Sequence, residues 1–244
     1  MATRHVLGDL TVAAHGAGLP RLDVESVGGV DAAKRIAAGE PFDLVFLADG
    51  ALAKLAAAGH VEVSTVTPLM LSPVAIAVPS GCGEQSGGPQ LPAFADAAQV
   101  RAALRAASRV GYSTGPSGTA LVNMIDEWGM TGEVGDRLVQ ASPGIPVAKL
   151  LAEGQVDLGF QQLSELTRQP GVRVLGVMPD ECAIVTVFSG AIASASGEKA
   201  TAALALRFFA SEAAAPIKAQ HAFGDPALTT GYGIRARRSR YDRP

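Results

Sequence analysis

Cysteine is nearly absent from this chain: there are two in 244 residues, Cys82 and Cys182, standing 100 positions apart. That spacing excludes a zinc knuckle and a CxxC redox pair. Aromatic residues make up only 5%, and Trp128 is the sole tryptophan, so the stacking platforms of sugar and single-strand binders are missing. The four histidines (His5, His15, His60, His221) show no HxH or HExxH spacing, and no metal centre is expected. Net charge is −3, with no dense basic block before the last ten residues, which argues against a nucleic-acid surface. The arginines of that tail read as a solvated end. The best apolar run, residues 66–79, is broken at Pro68, Pro73 and Pro79, so no membrane span is expected. GxGxxG, GxxxxGK[ST] and GxSxG are all lacking. Dinucleotide cofactors, a P-loop and a serine-hydrolase elbow therefore drop out, and no cofactor is expected.

What is present describes a globular α/β chain. Hydrophobic residues reach 48% and charged residues 18%, enough for a packed core. The length fits one large domain or two of about 110–120 residues. Residues 3–14 read as a helix, with Val6, Leu7, Leu10 and Ala14 at helical spacing. No secretory leader is legible in residues 1–10, so the literal expectation is a cytoplasmic protein, with the first strand of a strand–helix alternation absent from the sequence. Residues 21–27 alternate as a short strand, and residues 42–47 read as a buried parallel strand. Strands are also expected at 74–78, 109–113, 156–160, 172–177 and 183–193, and helices at 30–38, 51–58, 96–107, 120–128, 147–153 and 198–219. Residues 80–92, rich in Gly, Ser and Pro, read as a loop or a crossing between domains.

One stretch echoes another. Residues 34–46 run helix, Gly39, then a strand opening Asp43-Leu44; residues 149–160 repeat this with one gap as helix, Gly154, Asp157-Leu158. The two aspartates are 114 positions apart. Chance similarity in an alanine-rich chain is one reading. Two lobes of similar build, each with a strand end facing a cleft, is the other.

In open parallel sheets, ligands gather at the carboxyl ends of strands, where helix N-termini point. Four turns qualify: residues 1–4, 47–50, 113–118 and 160–164. They are rich in small residues, hydroxyls and amides. Gly115, Ser117 and Gly118 let backbone N–H groups approach a small anion, although Ser113, Thr114 and Ser117 also read simply as helix caps. Arg4 could take a carboxylate bidentately or stay solvated. Asp49 and Glu165 read first as helix-start acids.

At these turns the sequence resembles the type II periplasmic solute-binding fold, in its molybdate-binding-protein-like branch. The resemblance rests on residues 1–4, 28–40 and 42–45, then 111–118, 144–147 and 159–166, and spans residues 1 to about 224. It implies two α/β lobes, 1–79 plus 186–244 and 80–185, joined by crossings near 79–82 and 182–188. It also implies an extracytoplasmic, monomeric binding protein for a small anion, an oxyanion or a di- or tricarboxylate, serving an ABC permease. The anion-contacting positions carried over are Ala2 or Thr3, Leu47 or Ala48, Ser117, Val147 and Gln162, to which the turn reading adds Arg4, Ser113 and Gly118. Molybdate binders of the branch carry a hydroxyl where this chain has Leu47-Ala48 and a tyrosine where it has Gln162. Aconitate isomerase is similar to this branch too, so the alternative is a cofactor-independent isomerase of an unsaturated polycarboxylate, with His5, Tyr112 and Glu165 as candidate bases. Cys82 and Cys182 flank the two crossings and could pair in an oxidising compartment.

Overall fold

The computed structural model describes residues 2–81 and 93–227. Its strands are β1 Leu44–Ala48, β2 Thr67–Pro79, β3 Val110–Tyr112, β4 Leu138–Gln140, β5 Leu158–Gln162, β6 Val172–Val177 and β7 Val185–Ile192. Its helices are α1 Arg4–Gly16, α2 Gly29–Ala37, α3 Asp49–Ala57, α4 Ala97–Ala106, α5 Pro116–Glu127, α6 Thr131–Val134, α7 Val147–Ala152, α8 Leu163–Leu166, α9 Lys199–Ala210 and α10 Ala215–Gln220. The sheet is mixed, in the order β1-β7-β2-β5-β3-β4, with β6 also paired to β2.

β2 organises everything. Its first half, to Pro73, pairs antiparallel with β7; from Val74 onward it pairs with β5 and β6. The change of partner falls at Pro73, which has no N–H to give a ladder. Pro68, the other internal proline, sits where the register shifts. These placements explain how a 13-residue strand tolerates two internal prolines besides the one that ends it, and why only its second half, residues 74–78, is expected from sequence.

Four apolar clusters cover the two ladders. Val6, Leu7 and Leu10 of α1 pack with Leu206 and Phe209 of α9 against Leu69 and Met70. Ile36 of α2 and Leu52 and Leu55 of α3 pack with Val45, Leu47 and Ala191. On the second ladder, Val100 and Leu104 of α4 and Leu121 and Ile125 of α5 meet Val74, Ile76 and Phe160. Val147 and Leu151 of α7 and Leu166 of α8 meet Ala75 and Ala77. The alternation along β5 follows from the two-residue period of a strand. Leu158 and Phe160 face α4 and α5, whereas a Cβ on Gly159 would meet Leu151 and Val147 at 2.8 Å, so only glycine lets α7 lie that close.

The echo in the sequence is an echo in the backbone. Gly39 (φ 78°) and Gly154 (φ 65°) each end a helix in the left-handed region. Asp43 Oδ1 accepts from Ser196 Oγ at 2.6 Å; Asp157 accepts the N–H groups of Ser108 and Arg109 at 2.8 and 2.7 Å. The following strands turn into helices through Ala48 (φ −59°, ψ 138°) and Gln162 (φ −60°, ψ 138°), the same corner twice.

Several sequence expectations change. Residues 21–27 form no strand: alternation is present, but no ladder partner is found among the described residues, and only Leu22 packs on the α1–α9 cluster. The expected helix at 198–219 breaks at Ser211, whose Oγ bonds back to the Phe208 carbonyl, and restarts as α10. Helix α5 starts at Pro116 rather than 120, with proline in its favoured first position. Strand β4, three residues long, has too short a pattern to be read from sequence. Cys82 lies outside the described residues, so the pairing expectation has no structural counterpart; Cys182 is buried, its thiol pushed up to about 11 by burial first and the Glu181 charge second.

Candidate functional site

Strand direction and register bring the expected turns toward one place. β1 and β2 both run antiparallel to β7, and β5 runs antiparallel to β2, so β1 and β5 point toward each other. Ala48, at the end of β1, is level with Phe188 and through it with Met70; Gln162, at the end of β5, is level with Val74. Four residues of β2 separate those levels, a gap of about 13 Å at 3.3 Å per residue. β3 runs parallel to β5 with Tyr112 beside Phe160, so Ser113 and the start of α5 open onto the same gap. The carboxyl ends of three strands thus converge on the middle of β2.

The start of α5 is pressed onto the end of β3. A Cβ on Gly118 would stand 1.8 Å from the Ser113 carbonyl oxygen and 3.1 Å from Tyr112 Cδ2. Gly118 is therefore required by packing, a role beyond the ligand approach that its place in the turn suggests. The N-cap is Gly115, and no side chain caps the helix. Ser113 Oγ and Ser117 Oγ lie 3.2 Å apart and bond to each other rather than to the helix end. Gly118 and Thr119 direct their N–H groups to the Gly115 carbonyl, and Pro116 has none. Among the described residues the Ser117 N–H has no acceptor, and it stands at the head of a 12-residue helix, where the dipole favours negative charge.

The other expected helix starts are differently engaged. Gln161 Oε1 accepts the Val147 N–H at 2.8 Å inside the core, so the donor expected to meet a ligand is already bonded. Ser72, fully buried on β2, accepts the Ser164 N–H at 3.3 Å at the start of α8. Asp49, the first residue of α3 next to Ala48, holds a carboxylate there and accepts from Ser189 Oγ at 2.9 Å. Thr3 is the N-cap of α1 without a side-chain bond, and Ala2 and Thr3 are half-buried, whereas Arg4 and His5 are exposed.

Gln162 differs from its neighbour Gln161. It is 4% exposed, yet its Oε1 is buried with no hydrogen-bond partner among the described residues. Leaving a buried acceptor unmatched costs about 1–3 kcal/mol. Two positions beyond Phe160 on the same strand, it lies on the α5 side of the sheet. Glu165, half-buried three residues later, has its carboxyl pushed above the usual carboxylate range by burial, with the Gln161 amide acting in the opposite sense. Tyr112 packs on the α4–α5 cluster beneath the same helix start. No cluster of three metal-binding side chains occurs among the described residues.

Residues 12–224 match the family described as bacterial extracellular solute-binding protein. The chain belongs to that family. Its fold is that of type II periplasmic binding proteins: it superposes on the periplasmic molybdate-binding protein of Azotobacter vinelandii with a TM-score of 0.72 at 19% identity, over 92% of this chain and 96% of that one. A second match is the substrate-binding domain of a putative molybdenum ABC transporter from Clostridium difficile, with a TM-score of 0.71 at 14% identity over 92% and 95%. An aconitate isomerase from Pseudomonas sp is 33% identical over 181 residues, which is 74% of this chain and 66%, just under two thirds, of that enzyme's length. No helix among the described residues of this solute-binding protein is long and apolar enough to cross a membrane.

Proposed function

We propose that this solute-binding protein takes up a small organic di- or tricarboxylate in the gap between the end of β1 and the ends of β3 and β5. One observation carries the reading: the head of α5, which keeps the Ser113 and Ser117 hydroxyls, follows the strand paired with β5, and at the end of β5 the buried Gln162 carbonyl oxygen has no hydrogen-bond partner among the described residues. Thr3, Arg4 and Ala48 line the approach from the other side in this reading. A tetrahedral oxyanion held wholly by donors suits the site less well. The Val147 N–H is engaged by Gln161, Ala48 offers no hydroxyl, and Asp49 places a negative charge at the head of α3. The lobes are then 1–79 plus 186–244 and 80–185, closing on the ligand as a monomer that delivers to an ABC permease outside the cytoplasm.

The test is calorimetry and thermal shift with citrate, tricarballylate, cis- and trans-aconitate, malate and succinate, against molybdate, tungstate and sulfate. The reading expects stabilisation by carboxylates, about 2.7 kcal/mol at a hundredfold excess over Kd. Binding of molybdate or tungstate alone, or of no anion, refutes it.

A second reading, isomerisation of an unsaturated polycarboxylate, is favoured by Glu165. A carboxyl whose proton affinity is raised by burial is suited to take a proton from an allylic carbon and return it one double bond away. The 33% identity to aconitate isomerase supports the same direction. Glu165 has the tuned environment here; His5 is exposed and Tyr112 packs in the core cluster. Incubation with cis-aconitate in D₂O, followed by NMR, decides it: trans product or deuterium incorporation makes the protein an enzyme, and neither removes this reading.

A further inference from the structure

We infer that the ligand carries a hydroxyl beside a carboxylate, and that the side-chain amide of Gln162 selects for that pair. This rests on the carboxylate reading above and narrows its substrate class. The tandem glutamines at the end of β5 make the contrast. Gln161, on the α7 side, has its carbonyl oxygen engaged by the Val147 N–H at 2.8 Å. Gln162, on the α5 side, is 96% buried with its carbonyl oxygen unmatched among the described residues, at the end of the strand that pairs with β3, the strand leading into the Ser113–Ser117 turn. Oxyanions and ionised carboxylates bring only acceptors, and acceptors cannot satisfy a carbonyl oxygen. A hydroxyl can. In a 2-hydroxycarboxylate, the hydroxyl donates to Gln162 Oε1 while a carboxylate oxygen accepts from the Nε2 amino group, closing a ring of two hydrogen bonds. The remaining carboxylate oxygen then faces the Ser117 N–H and the positive end of α5. A site that hydrogen-bonds a substrate hydroxyl discriminates strongly against the analogue lacking it, because the polar group is left unpaired.

Matched pairs differing by one hydroxyl provide the test: citrate against tricarballylate, and malate against succinate, by titration calorimetry on the full chain. The expected result is at least tenfold tighter binding of each hydroxyl-bearing member. In Gln162→Leu, checked for folding by circular dichroism, the preference should shrink to within about twofold while the des-hydroxy ligand still binds. Equal affinities within both wild-type pairs overturn the inference and leave the carboxylate reading standing, with the amide turned so that it only donates. Aspartate binding better than malate also overturns it, since an ammonium is then the donor. Binding of no carboxylate at all instead removes the reading beneath it. The wild-type comparison needs no variant, so a Gln162→Leu protein that fails to fold leaves it decisive.

Discussion

Gly118→Ala is the sharpest single perturbation available. The added methyl would lie 1.8 Å from the Ser113 carbonyl oxygen and 2.8 Å from its carbon, whereas real side chains stay beyond about 3.0 Å. The head of α5 must retreat from β3 by roughly 1.2 Å to relieve the contact. Overpacking of this kind costs about 1–3 kcal/mol. Replacing glycine by alanine in a helix returns about 1 kcal/mol. The net is a loss of about 0–2 kcal/mol, or a fall in Tm of up to about 8 °C for a chain of this size. The retreat also separates Ser117 from Ser113, now 3.2 Å apart between oxygens, and citrate binding should weaken at least tenfold. Gly8→Ala is the control. Gly8 sits mid-helix in α1 with nothing within 4 Å of the place its added methyl would take, so the same chemical change should raise Tm by about 2–4 °C and leave binding untouched. Differential scanning calorimetry and titration calorimetry on both variants decide the matter. A Gly118→Ala protein as stable as Gly8→Ala, with unchanged affinity, would show that close contact at the head of α5 does not shape the site.

Glu165 holds its proton more tightly folded than unfolded, so its contribution to stability is lost as pH rises through the raised value. Glu165→Gln should therefore raise the urea midpoint at pH 8 and match wild type near pH 4; a larger gain in acid would contradict the burial account. Asp157→Ala removes the acceptor for two backbone N–H groups and should cost about 1–3 kcal/mol by urea unfolding, a loss that Asp157→Asn, which keeps one acceptor, should partly restore. With its thiol near 11, Cys182 should be about one part in a thousand thiolate at pH 8. In a Cys82→Ser background it should react with a disulfide reagent far more slowly than free cysteine, and reaction at the free rate would refute its burial.

Local pattern carried most of the fold. Val6, Leu7, Leu10 and Ala14 announced α1, and the paired Gly–Asp-Leu signals at 39–44 and 154–158 announced two strand ends with matching corners. What stayed hidden depends on neighbours that sequence spacing does not reveal. Residues 21–27 have the alternation of a strand but no ladder to join. Pro68 and Pro73 disguised the first half of β2, because their tolerance depends on where its partners change. At the site, the four turns were legible as helix heads, yet which heads keep free donors was not. That is set by Gln161 reaching back 14 residues to Val147 and by Ser72 reaching across 92 residues to Ser164. The amide of Gln162 stands out only once those two engagements are known.

β2 passes without a break from the ladder it shares with β7 to the one it shares with β5 and β6. Neither half of the molecule owns it. Melting either ladder strips one end of a strand whose other end is the central support of the second, so the two halves cannot lose structure independently as beads on a string do. Heating should give one calorimetric peak, its van't Hoff and calorimetric enthalpies equal, from a chain long enough to make two separate domains.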